Sequence, residues 1–209
     1  MTAPAPGRLV VVAAPGDGAP SARAVEVLGQ VDRVGEDADV AAVVARITAG
    51  ATIALVTEGG PTPSAPVARL VGAVVDAGLV VEVVPAPVAE VAALVASGLA
   101  TDHVAVEAPL PPDDPERSTR LAELAVEPRT TALPVAAEDL VATLAAVATA
   151  CGPDRPVAVA GDDVWRGSAA AAATWAAGRP QPGDVVLVIE GAPEVDEPED
   201  PGDEAVLAA

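Results

Sequence analysis

Short apolar runs alternate along the chain with longer stretches in which apolar positions recur at helical spacing. The runs 9–14, 52–57, 79–84 and 103–106 are brief, mostly Val-rich and closed by Gly or Pro, as in strands buried on both faces. Between them the spacing predicts helices over 21–31, 37–49, 67–77 and 88–96. Ser21 and Asp37 stand where N-caps belong, and Gly50, Gly78 and Gly98 stand where helices stop. Further on, helices are expected at 116–125, 137–150 and 168–177, and strands at 130–134, 156–160 and 184–189. Strands alternating with helices predict an α/β protein built on a parallel sheet.

Punctuation along the chain suggests the domains. Residues 108–115 hold four Pro and two Asp, the expected linker between an N-terminal α/β domain, 8–107, and a C-terminal one, 116–192. Residues 1–7 and the acidic stretch 193–209 are expected to be disordered. The run 9–14 is too short for a signal peptide or a membrane span, and no basic region precedes it. A cytoplasmic protein without membrane contact is expected.

Composition changes the picture in two ways. There is no Phe, Tyr, Lys or Asn, and all 11 basic residues are Arg, which points to a GC-rich genome and a core of Val, Leu and Ala. The net charge is −20; outside 194–209 there remain 24 acids against 11 Arg. A field of that sign repels phosphates, so a free nucleic-acid-binding module is disfavoured.

Conspicuous chemistry is sparse. His103 is the only histidine and starts a strand run, which suits a boundary position. Cys151 is the only cysteine, so there is no intrachain disulfide, and it falls at a helix end. Trp165 and Trp175 are expected to be packing anchors. No Ser–His–Asp set, metal-ligand spacing or Walker-type loop is present, and no catalytic residue is assigned.

Five segments in order carry a family resemblance: ALVASGLATDH at 93–103, EPRT at 127–130, GPDRPVAVA at 152–160, VWRGS at 164–168 and GDVVLVIEG at 183–191. Together they resemble the small-subunit rRNA methyltransferase I family, the 16S rRNA cytidine 2′-O-methyltransferases of the tetrapyrrole-methylase superfamily. The resemblance covers most of 8–192. It implies a two-domain α/β fold with a parallel sheet in the first domain and a mixed sheet in the second. It also implies S-adenosylmethionine as cofactor, methyl transfer to a substrate oxygen, a homodimer and rRNA as partner.

The family's cofactor turns are where this chain departs. The turn after the first strand reads TPIGN in the family and APGDG at 14–18 here, keeping Pro15, Gly16 and Gly18. A Gly-rich turn before a helix can offer backbone N–H groups to a ligand. The acidic turn near the end of the second strand, EDTR in the family, keeps Glu36 and Asp37, which also suit a helix N-terminus. Only one helix then precedes Thr52, where the family has some thirty further residues.

SDAGTP after the third strand becomes TEGGPTP at 57–63, leaving Thr57 and Glu58 as hydroxyl and acid, with Gly59 and Gly60 allowing close approach. PGPSA after the fourth strand becomes PAPVA at 85–89, keeping Pro85 and Pro87. Residues Pro15, Gly16, Gly18, Thr57, Glu58, Gly59, Gly60, Pro85 and Pro87 are thus the candidate cofactor contacts. In the second domain the family's YESPHR and RELTK become PVAAED at 134–139 and GDD at 161–163, and its basic linker run becomes acidic, which argues against docking on rRNA. Two functions stay open: an active S-adenosylmethionine-dependent methyltransferase, and a catalytically inactive descendant acting as a binding or dimerisation protein.

Overall fold

The computed structural model describes residues 7–13, 20–57, 64–112 and 114–193, and divides the chain into two compact units, Met1–Ala92 and Ala93–Ala209. The candidate residues Pro15, Gly16, Gly18, Glu58, Gly59 and Gly60 lie outside the described residues, as do the expected disordered ends 1–7 and 193–209 except for Gly7 and Pro193.

The first unit alternates β1 (Arg8–Ala13), α1 (Ala22–Leu28), β2 (Asp32–Val34), α2 (Val40–Thr48), β3 (Thr52–Thr57), α3 (Ala65–Asp76) and β4 (Val80–Val84). Its four strands are all parallel, in the order β2-β3-β1-β4. Leu9, Ile53 and Leu55 pack on one side against Val43 and Ile47 of α2 and Val67, Leu70 and Val74 of α3. Val10, Val12, Ala54 and Val84 pack on the other side against Ala24 and Val27 of α1. The period-two alternation within each strand feeds both layers, which is why these strands read as unbroken apolar runs. Helices α2 and α3 are followed by Gly50 and Gly78 at φ 99° and 69°, a left-handed backbone that glycine adopts without a Cβ clash.

Helix α4 (Ala89–Ser97) carries the chain across the division. The second unit contains β5 (Val104–Val106), α5 (Glu116–Val126), β6 (Thr130–Val135), a 3-10 turn (Ala137–Asp139), α6 (Leu140–Cys151), β7 (Pro156–Ala160), β8 (Val164–Ser168), α7 (Ala169–Ala177) and β9 (Val185–Ile189). Its sheet is mixed, in the order β5-β6-β9-β7-β8, with only β5 and β6 parallel. Leu133, Val157, Leu187 and Ile189 face Leu124, Leu140, Leu144, Val147 and the small residues Ala169, Ala172 and Ala176. Ala132, Ala158, Val186 and Val188 on the reverse face pack with Ala93 and Leu94 of α4. The expected parallel first sheet and mixed second sheet are both present.

Four details differ from the sequence expectations. Apolar runs do not mark β2 or β8, because each is an edge strand with half-exposed or exposed positions. Asp39, rather than Asp37, caps α2, accepting the Ala42 N–H at 3.0 Å. Helix α1 ends three residues early, at Leu28. The chain divides after Ala92 and β5 pairs in the second sheet, so the Pro-rich stretch 108–115 lies inside the second unit.

Candidate ligand site at the carboxyl edge of the first sheet

Because the first sheet is wholly parallel, the carboxyl ends of its strands share one edge. The crossover from β1 passes through α1 on one face, and that from β3 passes through α3 on the other. The two connections therefore diverge between neighbouring strands, which makes the gap between β1 and β3 a topological switch point, where open α/β sheets take ligands. Ala13 and Thr57, the last residues of these strands, are register partners across that gap. The candidate turns 14–18 and 58–63 leave from these two residues.

Local chemistry fixes where the flanking helices start. The Ser21 hydroxyl accepts the Ala24 N–H at 3.1 Å and opens α1; the Ser64 hydroxyl accepts the Val67 N–H at 3.4 Å and opens α3. Ser64 also donates its proton to the Glu36 carboxylate. That bond ties the acidic turn after β2 to the start of α3, so Glu36 meets the edge through a neighbouring helix rather than at the N-terminus of its own. Thr57 is half-buried at the end of β3. Pro85 and Pro87 are exposed in the stretch after β4, whose last residue, Val84, pairs with Val12. Of the described candidates, the structure gathers Thr57, Pro85 and Pro87, together with Glu36, onto the same strand edge.

One residue at this edge escaped the sequence reading. Glu90 lies in the first turn of α4 and is 5% exposed. It shares a helical stripe with the buried Ala93, Leu94 and Ser97. An acid at i of an apolar i, i+3, i+4, i+7 pattern is the signal that could have found it.

The segments that carry the family resemblance lie in the second unit and hold one another. Arg166 of VWRGS donates from Nε to the Ser97 carbonyl at 2.9 Å and from Nη2 to the Ala96 carbonyl, closing the C-terminus of α4 in ALVASGLATDH. Arg155 of GPDRPVAVA donates to the Glu190 carbonyl and the Ala125 carbonyl, both at 3.1 Å, joining the end of GDVVLVIEG to the last turn of α5. Gly191 lies so close to EPRT that a Cβ there would sit 1.9 Å from the Pro128 carbonyl oxygen. In VWRGS, Gly167 leaves room for the Trp165 ring, which stacks on Trp175 with centroids 5.3 Å apart. The two tryptophans are packing anchors, as expected.

Several other polar groups in this unit make structural contacts. Arg129 grips Glu127 through both carboxylate oxygens, at 2.7 and 2.8 Å, and the bonds hold the Glu127 carboxyl at about 2, below its ordinary 4.5. Cys151 ends α6, and burial pushes its thiol up, against a smaller opposing pull from Arg155. His103 is exposed just before β5, and its carbonyl accepts the Thr130 N–H. Pro134, Val135, Ala136 and Asp139 line a cavity of about 160 Å³ with Leu110, Arg117 and Asp184. Arg117 is the one basic group on that cavity wall among the described residues, and it bonds the Thr143 hydroxyl and the Pro111 carbonyl.

No protein-family model matches the chain. Curated relatives named ribosomal RNA small subunit methyltransferase I do: the Synechocystis protein is 36% identical over 161 residues, covering 74% of this chain and 58% of its own length. The Mycobacterium tuberculosis protein is 37% identical over 173 residues, covering 79% and 60%. The chain thus spans about three fifths of the length of these relatives.

Among solved structures, diphthine synthase superposes with a TM-score of 0.62 at 12% identity, covering 88% of this chain and 90% of that one. Uroporphyrin-III C-methyltransferase from Thermus thermophilus gives 0.57 at 20% identity, covering 89% and 94%. A complex of the latter enzyme with S-adenosylhomocysteine gives 0.52 at 14%, covering 88% and 97%. The chain therefore has the tetrapyrrole-methylase fold and is similar in sequence, over the part that aligns, to the ribosomal RNA small subunit methyltransferase I family.

Proposed function

We propose that the protein is an S-adenosylmethionine-dependent methyltransferase that binds its cofactor at the carboxyl edge of the first sheet and methylates a substrate oxygen. The observation that carries this reading is the switch point between β1 and β3, with the Thr57 hydroxyl at its rim. The curated relatives are named as methyltransferases, and one fold neighbour is described in complex with S-adenosylhomocysteine. The residues at the edge suit such a ligand. Thr57 and Glu36 are polar groups for its hydroxyls and amine, Pro85 and Pro87 stiffen the turn after β4, and the buried Glu90 supplies an acid for a cationic ligand.

The cofactor contributes a methyl group already activated on a positive sulfur. What the protein must add is orientation and exclusion of water, which needs no conspicuous base. Ser64, by capping α3 and donating to Glu36, holds the start of that helix against the acidic turn. The acceptor we favour is not naked rRNA. The charge of −20 and the acidic linker oppose phosphate docking, although the relatives' name points to ribosomal RNA.

A second reading, an inactive descendant serving as a binding or dimerisation protein, draws on one observation. The segments that carry the likeness are occupied with one another in the second unit, through Arg155, Arg166 and Gly191. Thermal unfolding with and without S-adenosylmethionine or S-adenosylhomocysteine separates the two. A ligand at a hundredfold excess over its Kd adds about 2.7 kcal/mol of stability. Absence of any shift with millimolar ligand would remove the enzyme reading and leave the descendant.

A further inference from the structure

On the reading that the carboxyl edge of the first sheet holds the cofactor, Ser64 has a part beyond starting a helix. Glu36 and Thr57 each stand two residues past Val34 and Leu55, the last register pair of β2 and β3. Two polar groups from different turns thereby reach one edge. Glu36 is half-buried in the short turn between β2 and α2. Among the described residues, Ser64 is the only group that bonds its carboxylate. A glutamate side chain is rich in rotamers, so a single donor decides where this one points.

The donor is itself fixed. A serine hydroxyl has one proton, and the Ser64 oxygen accepts the Val67 N–H at 3.4 Å, which leaves the proton for Glu36. Val67, Leu70 and Val74 of the same helix are buried against the first sheet, so the cap is held in place from the core. Core packing sets the direction of a hydroxyl, and the hydroxyl sets the carboxylate. Only Oε2 of Glu36 takes this bond; Oε1 keeps its acceptor capacity for a ligand. We propose that Ser64 is a positioning residue of the cofactor site and acts through Glu36. It holds the carboxylate, on the edge shared with Thr57, in the orientation that accepts protons from the ligand's hydroxyl groups.

The test is a double-mutant cycle on the full chain, with S-adenosylhomocysteine affinity read by calorimetric titration. Ser64→Ala should weaken binding about three- to tenfold, and Ser64→Thr, which keeps both donor and acceptor, should restore it. In a Glu36→Ala background, Ser64→Ala should change the affinity by less than about twofold, because the group it acts through is gone. An equal loss in both backgrounds, or no loss in either, would overturn the assignment while leaving the cofactor site in place. Ser64→Asp separates the donor from the helix cap. It still accepts the Val67 N–H, so the melting temperature should stay close to wild type, but it sets a second carboxylate against Glu36. Binding should then fall at least as far as with Ala, whereas wild-type affinity in the Asp variant would mark Ser64 as a cap alone. If the wild-type chain does not bind S-adenosylhomocysteine, the methyltransferase reading fails and this proposal falls with it.

Discussion

The carboxyl edge of the first sheet and the interior of the second unit are made of different materials. In the second unit, segments that resemble the rRNA methyltransferase I family are held to one another through Arg and Gly contacts. Arg166 closes α4, Arg155 ties β9 to α5, and Gly191 admits the Pro128 carbonyl. At the first sheet's edge, the segments that depart from the family follow the strand ends, and the described ones carry the exposed Pro85 and Pro87 and the Ser64-bonded Glu36. The likeness therefore reports shared framework. The proposed chemistry belongs to the other end of the chain, where Ser64 bonds Glu36 and Thr57 ends β3.

That contrast can be broken by mutation, with the largest effect expected in the framework. Gly191→Ala would force a methyl into the Pro128 carbonyl and should cost roughly 3 kcal/mol or more in urea unfolding. A cost below 1 kcal/mol would show that the EPRT and VIEG segments are not in tight contact. Arg155→Ala strips two carbonyls of their donor and Arg166→Ala three, and each should cost about 1–3 kcal/mol. Ligand affinity per folded molecule should not change for Arg155→Ala, and a specific loss of binding would erase the distinction between framework and site.

Thr57→Val should behave in the opposite way. Stability should stay within about 0.5 kcal/mol, while S-adenosylhomocysteine binding weakens roughly three- to tenfold by calorimetry. Unchanged affinity would move the site away from the β1–β3 gap.

The smallest effect is a pH dependence within the framework. Glu127 has a folded-state value of about 2 against an ordinary 4.5. Its contribution is therefore fully present above 4.5 and is lost as pH falls toward 2. Melting curves of wild type and Glu127→Gln should converge across that interval and stay separated at neutral pH. Because Arg129 is half exposed, solvent screening keeps the separation small. Parallel curves over the whole range would mean that the pair contributes nothing to folding.

The sequence alone determined the α/β class, because strands buried on two faces must read as apolar runs and helices between them must carry a stripe. Ser21 as a cap and Gly50 and Gly78 as stops were legible for the same reason: their roles depend on a few neighbouring residues. What depends on distant residues was not legible. Edge strands β2 and β8 exist through pairing with β3 and β7 rather than through their own hydrophobicity. The division after Ala92 follows from β5 joining β6, and the Pro-rich stretch 108–115 gave no hint of it.

Likewise, only the tertiary structure set Ala13 beside Thr57, aimed Arg166 at the end of α4 and enclosed Glu90. Local pattern encodes which side of an element is apolar. Which polar groups then share a site is decided when strands far apart in the chain take neighbouring places in a sheet.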